Sequence, residues 1–131
     1  MGEISVRVYH DRASQLSNAM ELCHDDMRAY SAAVGLLAVH SAISYNDAVL
    51  ISLTGKKSHA RDHKQAAAVT IKACRTAKIQ PVGLRHLDTL IGAKADVSCG
   101  NERVDNQRVE FLYQSARRFR AWAESILGGR R

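Results

Sequence analysis

The groups able to do acid–base, nucleophilic or metal chemistry fall into three short constellations, and their spacing sets what each could do. The first is His40 with Asp47, two turns apart on one face of a helix. On a largely apolar face both must find hydrogen-bond partners, because burying either alone is costly. The second is Ser58-His59-Ala60-Arg61-Asp62-His63. His59 and His63 stand at i and i+4, a spacing used by metal-binding helices. No Glu lies between them to complete H-E-x-x-H and no third ligand is evident, so neither a metal nor a cofactor is expected. Asp62 and His63 remain as a polar pair. The third is Lys94, Asp96 and Cys99; a nearby cation lowers a thiol's pKa, which makes Cys99 a candidate reactive cysteine. His24, Asp25 and Asp26 make a poor ligand set, since adjacent residues on a helix point in different directions.

Charge is distributed unevenly. The chain carries a formal +6, yet the segment from Thr54 to Arg85 alone carries +7, with eight basic residues against Asp62. Residues 1–30 carry three basic and five acidic groups, a balance of −2. Such a contrast marks an anionic partner, whether RNA, a nucleotide or an acidic protein surface, although a solvated basic face gives the same count. Lys56, Lys57, Arg61, Lys64 and Arg85 are the anion-binding candidates within it.

The elements that must carry these groups are helices. From Tyr30 to Leu53 there is no proline, no Lys, no Arg and one acid, Asp47, so a helix here has no fully solvated face. One stripe reads Tyr30, Val34, Leu37, Ser41, Ser44, Ala48 and Ile51, and an adjoining one reads Leu36, His40, Ile43, Asp47 and Leu50. Two such faces predict a long central helix packed on both sides. Before it, Tyr9, Ala13, Leu16, Met20, Cys23 and Met27 predict a helix over about 8–27, and Asp25 or Asp26 is placed to cap the central one. Gly55 suits its left-handed close. A third helix is expected over about 60–76, burying Ala67, Ile71 and Cys74. Pro81 suits the first turn of a fourth, which runs through Leu84, Leu87, Ile91, Ala95 and Ser98 to Cys99. Asp105 can cap a last helix whose apolar positions are Phe111, Leu112, Ser115, Phe119, Trp122 and Ile126, with Arg108, Glu110, Arg117, Arg118, Arg120 and Glu124 mostly elsewhere.

The expected fold is therefore all-α, an up-and-down bundle of four to five helices in a single domain over 1–131, with its core over about 8–127 and a tail at 128–131. A chain of this size hides roughly 68% of its unfolded surface, enough for one core. Three cysteines, Cys23, Cys74 and Cys99, are odd in number and widely spaced, which suggests neither a disulfide framework nor a cysteine zinc site. A charged N-terminus and a central run broken by His40, Asn46 and Asp47 argue against a signal peptide or membrane span, so a cytoplasmic protein is expected.

These residues resemble the HEPN domains, small helical bundles associated with RNA cleavage, nucleotide binding, toxin–antitoxin pairs and phage defence. The likeness rests on His40-Ser41-Ala42-Ile43 followed by Asp47-Ala48 in the second helix, on Gly55 and then Asp62-His63 opening the third, and on Lys94 to Gly100 ending the fourth. It runs from about Ala13 to Leu127. The resemblance implies a homodimer and an RNA- or nucleotide-associated role. Catalytic HEPN domains carry an Arg followed after four to six residues by a His; no Arg in this chain has a His at that spacing. Lys56 or Lys57 with His63 is the nearest substitute, and Lys lacks the planar fork of a guanidinium. The chain is thus expected to be a binding or accessory module. The alternatives are a metal-independent endoribonuclease with a rearranged site, or a structural partner of a cognate protein such as a nucleotidyltransferase. His40, Asp47, Asp62, His63, Lys94, Asp96 and Cys99 are then either hydrogen bonds that fix helix register or the lining of one polar groove.

Overall fold

A computed structural model describes residues 5–56 and 63–129, the side chains of His63 and Lys64 excepted. Five helices follow one another: α1 (Val6–His24), α2 (Met27–Thr54), α3 (His63–Thr76), α4 (Leu84–Cys99) and α5 (Asn106–Gly129), with no strand among the described residues. The all-α bundle around a long second helix is as the sequence predicts. Of the expected sites, Lys57, Arg61 and Asp62 lie outside the described residues, as do Ser58 and His59.

α2 packs against each of the other four helices. Its charge-poor sequence leaves it little surface to give to water, and Val34, Ala38, Val39, Ala42, Tyr45, Ala48, Val49, Leu50 and Ile51 are buried. By length and composition alone α2 could cross a bilayer, but 72% of its most apolar stretch is covered by the bundle. Small residues let neighbours approach closely: a Cβ on Gly35 would stand 3.2 Å from Val97 of α4 and 3.8 Å from Val109 of α5. α1 returns antiparallel to α2, and α5 antiparallel to α1, so that His10 meets Glu124 and His24 meets Glu110. Phe119, Met20, Leu87 and Leu112 fill the centre, each stabilising the fold by about 1.5–3 kcal/mol through burial.

The helix ends show local chemistry at work. Gly55, at φ 76°, closes α2 with its N–H on the Ile51 carbonyl, as its left-handed freedom predicts. Asp105 caps α5 through its carboxylate on the Arg108 N–H at 2.9 Å. α3 ends in paired bonds from Ile79 N–H to the Cys74 carbonyl and from Lys78 N–H to the Arg75 carbonyl, with Lys78 left-handed at φ 60°. This is a Schellman close.

Several expectations are corrected. Pro81 lies three residues ahead of α4, its carbonyl accepting the Leu84 N–H in a turn. Asp26 precedes α2 but makes no side-chain cap bond, and α2 kinks at Tyr30, which is half exposed. On α4 the buried stripe turns toward Leu90, Ile91 and Ala93, leaving Ala95 and Ser98 exposed. On α5 Phe111 faces outward, and Val109, Tyr113, Ala116 and Ala123 hold the core instead.

Candidate functional site

The residues singled out from the sequence are spread along the bundle. His40 and Asp47 are half-buried on α2. Lys94 is half-buried, and Asp96 and Cys99 are exposed, on the last turns of α4. Asp96 accepts a 2.9 Å bond from the Arg108 guanidinium, and the Cys99 thiol points to the Ala95 carbonyl at 3.5 Å. Asp96 and Val97 share a groove with Arg28, Ala32 and Gly35 at the start of α2. Asp47 lies 12 residues beyond Gly35, about 18 Å further along the helix axis. Asp96 and Asp47 therefore belong to different levels of the bundle. His63 and Lys64 open α3, while Lys56 and Arg85 are exposed beyond α2 and in the first turn of α4.

The polar contacts of greatest density join α1 to α5. His10 Nε2 reaches both carboxylate oxygens of Glu124, at 2.8 and 2.9 Å, and the buried Tyr45 hydroxyl donates to Glu124 at 2.7 Å. Burial pushes the Glu124 carboxyl upward, but the bonds from His10 and Tyr45 and the charge of Arg120 outweigh it and hold the group below the usual carboxylate range. The Tyr45 phenol is raised, first by burial and then by the hydrogen bond it donates to Glu124. One turn on, Arg120 donates to Ser17 at 2.8 Å and to Asn18 at 3.2 Å. Glu21 then accepts from Tyr113 and pairs with Arg117. At the far end His24 bonds Glu110 at 2.8 Å and stacks on Tyr113 with ring centres 3.5 Å apart. The bond from His24 holds Glu110 low, and burial followed by the Glu21 bond pushes Tyr113 up to about 12.

A cleft of about 740 Å³ opens beside the first rung, lined by Arg7, His10, Ser14, Ser52 and Glu124 among others. A carboxylate that orients an imidazole at the edge of a cleft is the geometry of a general base. Here the same carboxylate also satisfies a buried phenol, so its first consequence is to lock α1, α2 and α5 in register.

A further set of exposed charges is basic. Lys56, Lys72, Arg75, Lys78, Arg85 and Arg118 are all exposed, and among the described residues none has a carboxylate within ion-pair distance. The ion pairs formed by the described residues join α1 to α5 and α4 to the start of α5. Part of this face surrounds His86, whose pKa is lowered by burial first and then by Arg85 and Arg118. Neither His86 nor Arg118 was prominent in the sequence, because 33 residues separate Arg85 from Arg118.

Comparison of the chain with models of known families, with curated proteins and with solved structures finds no match.

What the arrangement can do follows from its charges. Cations without internal partners keep their full attraction for a polyanion, and each phosphate they neutralise releases counterions. The buried Cys74 thiol is raised by burial and is poorly placed for nucleophilic work. Among the described residues no group of three or more His, Cys, Asp or Glu could hold a metal ion.

Proposed function

We propose that this chain is a HEPN-like binding or accessory module that takes a phosphate-bearing ligand, RNA or a nucleotide, on its basic face. The observation that supports this most directly is that Lys56, Lys72, Arg75, Lys78, Arg85 and Arg118 are exposed without ion-pair partners among the described residues. The lack of any Arg with a His after four to six residues argues for binding without the usual HEPN cleavage. A toxin–antitoxin or defence setting in the cytoplasm fits such a module, as does a cognate protein partner.

Fluorescence anisotropy with a labelled structured RNA tests the reading. Affinity should fall steeply with salt, the slope of log K against log salt giving the number of phosphates neutralised. Reversing Lys72 and Arg75 together to Glu should weaken binding of every RNA sequence alike. No binding at low salt would remove the proposal. Incubating the RNA in chelator decides the endoribonuclease alternative, which requires cleavage that His63→Ala or His40→Ala abolishes.

The homodimer belongs to the same proposal. Leu22, Tyr30 and Phe111 are 74%, 50% and 56% exposed and stand at the shared end of α1, α2 and α5. Light scattering at micromolar concentration should give twice the 14.4 kDa chain mass; a clean monomer overturns this part.

A further inference from the structure

The geometry points to a phosphate subsite at the junction of α4 with α5, formed by Arg85, His86 and Arg118. The inference rests on the basic-face reading and names where a phosphate group of that ligand would seat.

The junction is tightly built. A Cβ on Gly83 would come within 2.5 Å of the Trp122 ring, so the indole lies directly on the backbone that starts α4. The Trp122 indole N–H donates to the Gln80 carbonyl at 3.1 Å, a second anchor for the ring. Arg118 stands one turn before Trp122 on α5, and Arg85 and His86 stand in the first turn of α4, two and three residues past Gly83. Contact between Gly83 and Trp122 therefore sets both guanidinium-bearing turns side by side.

No ion pair among the described residues engages the cations at this junction. Arg85 and Arg118 are exposed and have no carboxylate partner among the described residues, and Asp88, one turn along α4, pairs with neither. The first turn of α4 contains no acid, and its N-cap residue is a glycine without a side chain. Partial burial first, and then the charges of Arg85 and Arg118, disfavour protonation of the His86 imidazole. Two guanidinium groups whose charges both reach one imidazole suit the tetrahedral oxygens of a phosphate, which guanidinium can meet bidentately. A bound phosphate anion would reverse the field at His86, and the imidazole then gains a reason to take a proton.

That reversal supplies the test. In the full chain, imidazole resonances are followed by NMR through a pH titration, first without and then with inorganic phosphate. The expected result is saturable movement of the His86 signals and a rise in its pKa by roughly half a unit. Arg118→Ala should raise the His86 pKa in the free protein and abolish its response to phosphate. In the anisotropy assay, Arg85→Ala and Arg118→Ala should each weaken RNA binding about tenfold, and Arg118→Lys should restore only part of the loss. RNA binding that survives both alanine variants within twofold, with His86 unmoved by phosphate, overturns the subsite and leaves the basic-face reading standing. Equal shifts of all six histidines would mark non-specific ion binding and also overturn it. A His86 response without RNA binding supports the subsite while removing RNA as the ligand.

Discussion

The Glu124 carboxylate offers a prediction in which a second mutation repairs the first. Replacing it by Ala removes the acceptor of two donors at once, His10 Nε2 and the Tyr45 hydroxyl. The histidine side chain is 21% exposed and can turn to water. Tyr45 is only 1% exposed and cannot. A buried hydroxyl left without an acceptor costs about 1–3 kcal/mol, so Glu124→Ala should lose roughly 2 kcal/mol. Tyr45→Phe keeps the ring packed and removes only the donor. Glu124 retains His10 and, at 36% side-chain exposure, water, so this change should cost about 1 kcal/mol.

The double variant has no stranded hydroxyl. Adding Tyr45→Phe to Glu124→Ala should therefore recover about 1 kcal/mol, an effect opposite in sign to that of Tyr45→Phe alone. Urea unfolding at constant m-value measures all four proteins, and the recovery corresponds to roughly 4 °C in Tm for a domain of this size. If the double variant is less stable than Glu124→Ala, the phenol is not held by this carboxylate and the reasoning fails.

Three further outcomes can be checked on the same apparatus. Gly92→Ala adds a methyl to a helix interior with nothing within 4 Å and should stabilise by about 1 kcal/mol, whereas Gly83→Ala drives a Cβ into the Trp122 ring and should destabilise by roughly 1–3 kcal/mol. Lys78→Gly relieves a left-handed backbone at φ 60° and should gain about 1 kcal/mol if the same Schellman close is kept. Stability should fall at both ends of the pH range. The depressed carboxyls of Glu110 and Glu124 contribute above their unfolded value near 4.5 and lose that contribution as pH drops through their folded values. The raised phenols contribute fully below pH 10, and Tyr113 loses its share as pH climbs toward about 12. Glu110→Gln and Glu124→Gln should flatten the acid limb, and absorbance titration should show two tyrosines ionising late.

The helices were legible because burial imposes a period that any solvent-excluded stripe must obey, and α2 could be read from its near absence of charge. Gly55 and Asp105 were legible for a local reason: one supplies a left-handed backbone and the other a short acceptor within three residues of the N–H it serves. The α1–α5 seam was not, although its pattern lies in plain view. His10 and His24 are 14 residues apart, and so are Glu110 and Glu124, an interval of about four turns on either helix. Polar residues at helical spacing read equally well as a solvated face. Only antiparallel contact between those two helices turns the matching intervals into two His–carboxylate bonds, and contact between α1 and α5 is a property of topology that periodicity does not encode. The same holds for Arg85, His86 and Arg118. Composition revealed the excess of cations between Thr54 and Arg85, but the join to Arg118 runs through a glycine that lets an indole sit on its backbone. A site assembled by such a close approach is most sensitive to a methyl group placed at the approach itself, so Gly83→Ala should weaken phosphate and RNA binding together without altering a single charge.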